Sequence, residues 1–230
     1  MDPRSLLMAS FTVAYLTLTS IIQGVALGYL VAVVDGAASK LPIASWLLAV
    51  ASFLAIVVLW QEYMIGATIF SWSPTLADSL IPFALGAAEL AAIHGVRDTH
   101  DLTHWLWPIA AGWAIGLFAV AYECIRACEA SRSIYLVARR SLRVTAACLG
   151  AGVAVSAGTA IALSMVQPSE ALRTFVAAVN LAALVAFVLR SGWYLHTLAR
   201  RGRVAAGGRT ENRESSAEPA SSHSIVERNS

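Results

Sequence analysis

Residues 59–93 read LWQEYMIGATIFSWSPTLADSLIPFALGAAELAAI. The stretch is the end of one long apolar run and nearly the whole of the next, joined by the turn signal SWSP. Runs of about 20 apolar residues match a hydrocarbon core roughly 30 Å thick, so the pair reads as two antiparallel membrane spans. Both must be helices, because lipid offers no partner to the open edge of a sheet.

The rest of the chain repeats this pattern. Its 230 residues are 58% hydrophobic and only 13% charged, too apolar for an ordinary soluble domain. Six spans are expected, at about 6–34, 43–70, 76–96, 105–124, 144–166 and 172–195. The fold class is therefore all-α, a polytopic membrane protein with six transmembrane helices in one bundle. The first run is too long for the apolar core of a signal peptide and is expected to be retained as a helix. A transmembrane domain over 1–199 is followed by a stretch over 200–230 that is rich in Ser, Glu, Arg and Gly and lacks apolar periodicity, expected to be a disordered tail. Trp46, Trp60, Trp72, Trp105, Trp107, Trp113 and Trp193 fall mostly near span ends, where amphipathic rings favour the interface.

Arginines set the expected orientation. Arg126, Arg132, Arg139, Arg140 and Arg143 lie in a segment read as the loop between spans four and five, and Arg200, Arg201 and Arg203 follow span six. Both segments should face the cytoplasm of a cell-membrane protein, which puts both termini there as well. The net charge of +2 hides this asymmetry and does not suggest nucleic-acid binding. The partner implied is the lipid bilayer, with a homo-oligomer compatible with the pattern. Two GxxxG elements, Gly24 with Gly28 and Gly112 with Gly116, suit close helix approach or equivalent places in an inverted repeat.

Polar residues within the spans carry the functional argument. Glu62 and Glu89 lie far enough from the expected span ends that an ionised carboxylate would cost at least about 2.5 kcal/mol. Each must be protonated, paired or in contact with water. Gln23, Tyr63 and Asn180 are the candidate partners. A proton or cation site is one reading of these groups, and hydrogen-bonded glue between helices is the other. Asp78 follows Thr75 by three, the spacing of a capping box, so its expected role is structural. Glu123, three residues before Arg126, suits an ion-pair ladder at the membrane surface.

The stretch HGVRDTHDLTHW, residues 94–105, offers His100, His104 and Asp101 as metal-ligand types, but it reads better as a polar loop with helix caps, and no metal or other cofactor is expected. Cys124, Cys128 and Cys148 give no disulfide framework. No phosphate loop, nucleophile elbow or HExxH pair occurs, so an enzyme has little to stand on. The expected function is a small channel or carrier that binds a proton or cation at its buried carboxylates. The alternative is a non-transporting sensor or assembly partner acting through the arginine segment and the tail.

Overall fold

The computed structural model of the chain describes residues 3–37, 41–69, 75–98, 101–130, 132–166 and 168–215. These form α1 (Pro3–Asp35), α2 (Ile43–Ile69), α3 (Leu76–Gly95), α4 (Thr103–Ala130), α5 (Arg132–Ser164) and α6 (Glu170–Ser215), with no strand among the described residues. Each helix contains a stretch long and apolar enough to cross a membrane: Val13–Asp35, Ile43–Met64, Leu76–Gly95, Thr103–Ile125, Leu142–Ser164 and Glu170–Trp193. The protein is an all-α, multi-pass membrane protein. Large exposed side chains such as Val31, Phe83, Phe118 and Phe175 form the surface that lipid covers.

The chain divides into two units, Met1–Leu189 and Arg190–Ser230. Within the first, α1 packs on α2 and α3, α3 packs on α4, and α4 packs on α5. Residues 170–189 of α6 join through Ala177 and Leu184 in the core and through the edge-to-face contact of Phe187 with Trp113, centroids 5.6 Å apart. Six consecutive crossings place the α1–α2, α3–α4 and α5–α6 connections at one rim. The chain start and the α2–α3 and α4–α5 connections lie at the other.

The apolar core is lopsided between these rims. Leu30 and Val33 end α1, Ala44 and Leu48 begin α2, and Ile93 and Val96 lie at the end of α3. Leu102, Trp105 and Leu106 at the start of α4, with Ala160 in α5 and Ala177 in α6, complete the same cluster. Nearly all of these sit toward the α1–α2 rim, where close packing is tightest. Gly95 shows why: a Cβ there would stand 2.6 Å from the His104 carbonyl carbon and 2.7 Å from the Trp105 nitrogen, so only a glycine lets the start of α4 lie against the end of α3.

Three expectations change at this level. The arginine segment is not a loop: α4 continues to Ala130 and α5 already begins at Arg132. Residues 124–143 contain neither Gly nor Pro and include five Arg and three Ala, which sustain a helix after it leaves lipid. The sixth helix likewise runs past residue 195 to Ser215; of the stretch expected to lack structure, residues 200–215 are helical and 216–230 lie outside the described residues. Trp105 does not ride at the interface but is wholly buried, its indole N–H donating to Ser52 Oγ at 3.0 Å and tying α4 to α2. Trp72 lies outside the described residues.

The two GxxxG elements are not equivalent. Gly24 and Gly28 face open space, whereas Gly112 lies near Ala88 of α3 and Gly116 against Leu149 of α5. The tighter small-residue contact belongs to Gly152, whose missing Cβ makes room for the Trp113 ring.

Candidate functional site

The buried face of α3 carries two acids in an otherwise apolar stripe: Asp78, Pro82, Leu85, Gly86, Glu89, Ala92 and Ile93 recur at helical spacing and all are buried. The facing stripe of α1 carries Thr19, Gln23, Ala26, Leu30 and Val33. At Gly86 α1 seats a side chain directly against α3, since a Cβ there would collide with Ile22 Cγ2. That approach brings the next long side chains on each stripe together. Gln23 Nε2 donates to Glu89 Oε2 at 3.1 Å.

The depth of this bond follows from α1 and α3. Gln23 is ten residues from Val13 and twelve from Asp35 within the apolar stretch Val13–Asp35, about 15 and 18 Å of helix rise from its ends. Glu89 is thirteen residues from Leu76 and six from Gly95, about 20 and 9 Å, so the bond lies within the apolar stretches of both helices and nearer the α1–α2 rim. Glu89 is 6% exposed and Gln23 4%, so neither reaches solvent around the outside of the bundle. Among the described residues, the remaining oxygens, Glu89 Oε1 and Gln23 Oε1, have no hydrogen-bond partner, and neither has the hydroxyl of buried Tyr63. Tyr63 lies within electrostatic reach of Glu89. A carboxylate, an amide carbonyl and a phenol thus leave oxygen atoms unsatisfied in one buried region. Such oxygens suit a proton, water or a hard cation.

Asn180, a candidate partner for these acids, does not join them. Its Nδ2 donates to the Val176 carbonyl one turn back in α6, at 2.9 Å, a local bond that a helical side-chain amide makes readily. Glu62 is half-buried on α2, and as the neighbour of Tyr63 it faces a different side of the helix.

Asp78 caps α3. Its Oδ2 accepts from the Thr75 N–H at 2.7 Å and the Thr75 hydroxyl at 2.8 Å, and Thr75 Oγ1 accepts from the Asp78 N–H, completing the capping box. Because the Thr75 hydroxyl proton goes to Asp78, its oxygen accepts from the Tyr122 hydroxyl of α4, 2.8 Å away. The cap thus also ties α3 to α4. Thr75→Val is expected to cost about 1 kcal/mol of stability, read as a lowered unfolding midpoint in detergent. An unchanged midpoint would show that the cap is redundant.

One contributor escaped the sequence. Tyr15 of α1 packs edge-on against Tyr63, ring centroids 6.0 Å apart, and lies within electrostatic reach of Asp78 and Glu123. Its signal was available, since Tyr15 stands four residues before Thr19 and eight before Gln23 on the same stripe.

At the opposite rim, His104 Nδ1 lies 2.7 Å from Asp98 Oδ2, and its Nε2 lies 3.9 Å from Asp101 Oδ2. Asp101 Oδ1 accepts from the Thr103 N–H at 2.8 Å, and hydrogen bonding from Thr103, chiefly its side chain, holds the Asp101 carboxyl below the usual carboxylate range. These contacts knit the turn into α4. Among the described residues no three His, Cys, Asp or Glu side chains are grouped to hold a metal ion, and His100 lies outside those residues.

Comparison with protein-family models, with curated proteins and with solved structures finds no match.

Proposed function

We propose that this chain is a small transporter or channel of the cell membrane that moves a proton or small cation, with Glu89 as the group that loads and unloads it. One observation carries the reading. The Glu89–Gln23 hydrogen bond is buried within the apolar stretches of α1 and α3, with one oxygen of each side chain left without a partner among the described residues. An acid that served only to tie α1 to α3 would be expected to have its polar atoms satisfied, because an unpartnered buried group costs about 1–3 kcal/mol. Ionisable residues at this depth commonly mark ion pathways and proton relays.

The Gln23 amide suits such a role. Its N–H bond is compatible with both states of the acid, since a carboxylate and the carbonyl oxygen of a carboxylic acid both accept. Loading and unloading therefore need not break the contact between α1 and α3. Arginines at 126, 132, 139, 140 and 143, near the α4–α5 connection, favour placing that rim and both termini in the cytoplasm.

Glu89→Gln preserves shape and the capacity to accept from Gln23 while removing the titratable proton. In liposomes loaded with a pH-sensitive or cation-sensitive dye, the variant is expected to lose flux while its expression and thermal unfolding stay close to wild type. Wild-type flux in Glu89→Gln, or no flux for protons or alkali cations in the unmodified protein, would instead favour the non-transporting sensor or assembly partner, with the Glu89–Gln23 bond acting as glue.

A further inference from the structure

Glu89 has unlike surroundings toward the two rims. Toward the α1–α2 rim the chain above it is apolar and closely packed: Ala92, Ile93 and Val96 of α3 meet Val33, Leu48 and Trp105, each at most 1% exposed. The Gly95 contact with the His104–Trp105 backbone leaves no slack in that layer. Its polar groups are the indole N–H, already given to Ser52, and the buried Ser45 beside Ala44, while on its exposed edge the Tyr29 hydroxyl of α1 lies 3.1 Å from His94 Nδ1 of α3.

Toward the α2–α3 rim α1, α2, α3 and α4 each contribute polar groups, set among apolar ones such as Ile22, Pro82 and Leu85. Tyr63 of α2 presents an unpartnered buried hydroxyl, and Tyr15 of α1 packs against its ring. Beyond them lie Asp78, Thr75 and the α4 pair Tyr122 and Glu123, already linked by the Tyr122–Thr75–Asp78 hydrogen bonds. Pro82 adds to this polarity, because it has no N–H to give the carbonyl of Asp78 one turn before it. Glu62, beside Tyr63, is the remaining titratable group of α2 on this half.

We infer that, in the arrangement of helices seen here, Glu89 exchanges its proton with one side of the membrane only, along a hydrated path past Tyr63 and Tyr15 to the Asp78–Glu123 rim. The other side is shut by the Trp105 layer. The inference rests on the loading role proposed for Glu89. Water is the natural partner for the three unsatisfied oxygens, since buried polar groups without a protein partner recruit ordered water. A proton leaving the Glu89 carboxyl passes to such a water, the positive charge moves along the chain by successive O–H transfers, and a proton is released to solvent at the rim. The carboxylate left behind keeps the Gln23 donor. Tyr63 and Tyr15 are positioning residues that hold the chain continuous through a stretch otherwise lined by apolar groups.

A hydrophobic carbodiimide tests this without measuring flux, because it reaches buried acids through lipid and adds only to the protonated carboxyl. Labelling of Glu89 is read by mass spectrometry in right-side-out and inverted vesicles, with pH varied outside and buffered inside. Glu89→Gln supplies the blank. Labelling is expected to rise on acidification in the orientation that exposes the α2–α3 rim and to ignore external pH in the other. Tyr63→Phe should slow the response to a brief acid pulse severalfold while labelling at long exposure stays unchanged, and Tyr15→Phe should have a smaller effect in the same direction.

Labelling that follows pH equally from both sides, that fails at the lowest pH the fold tolerates, or that responds to a pulse as fast in Tyr63→Phe as in wild type overturns the inference. Glu89-dependent flux with two-sided labelling would leave the transport reading standing and the one-sided path refuted. One-sided labelling with no flux would do the reverse.

Discussion

Gly95→Ala is expected to destabilise the bundle by about 3 kcal/mol, at the upper end for adding one methyl group to a packed interior. The reason is the identity of the atoms in the way. The new Cβ would lie 2.6 Å from the carbonyl carbon and oxygen of His104 and 2.7 Å from the nitrogen of Trp105, all backbone. A side chain can rotate aside, but these atoms move only if the whole start of α4 shifts from α3. That shift would also unseat Trp105 from Ser52. Thermal unfolding in detergent, followed by tryptophan fluorescence and by the monodisperse fraction on gel filtration, reads the loss. Gly24→Ala is the control, because open space faces that position and its midpoint should scarcely move. Equal midpoints for the two variants would mean that α3 and α4 are not in such close contact.

Trp105→Ala is the second large effect, at about 4 kcal/mol, the range for deleting a large aromatic side chain from a packed core. The ring is wholly buried among residues of several helices, so its removal leaves a hole that the surrounding backbone cannot fill. The Ser52 hydroxyl loses its donor at the same time. Trp105→Phe retains most of the packing and loses only that hydrogen bond, so it should cost a third of this or less. A graded series of unfolding midpoints, wild type above Trp105→Phe above Trp105→Ala, checks the assignment. Indistinguishable midpoints for alanine and phenylalanine would place the ring at the surface after all.

The sequence made the fold readable because lipid removes alternatives. Once a run of 20 apolar residues is recognised, the backbone has only the helix to satisfy itself, and SWSP, DGAASKLP and VQPSE mark the breaks. Ends outside lipid were harder to place. The residues from Arg126 to Arg143 are charged, and charge marks the limit of a span without marking the limit of a helix.

The candidate site was legible in its members more than in its pairings. Glu89 and Gln23 each stand out as polar residues in apolar helices, but which polar group meets which depends on the rotation and sliding of α1 against α3. That register is set by Gly86 receiving Ile22, a contact 64 positions apart in the chain, and no local pattern encodes it. Asn180 looked an equal candidate for the same reason, yet Val176 of its own helix satisfies it. Tyr15 was overlooked, and Trp105 was misjudged because an aromatic residue near a span end has two common fates, the headgroup region or the core. The stripe it shares with its helical neighbours decides between them.

The uneven distribution of apolar packing makes the bundle resemble a clothes peg. Atoms interlock around Gly95 and Trp105 as at the spring, while the ends bearing Tyr15, Tyr63 and Asp78 are the jaws. Small rotations at the pivot become larger excursions at the jaws, in proportion to their distance along helices roughly 30 Å long. Opening the jaws is inexpensive because it separates groups that water can satisfy. Opening the pivot is not, because it tears apart a layer that its own apolar side chains fill.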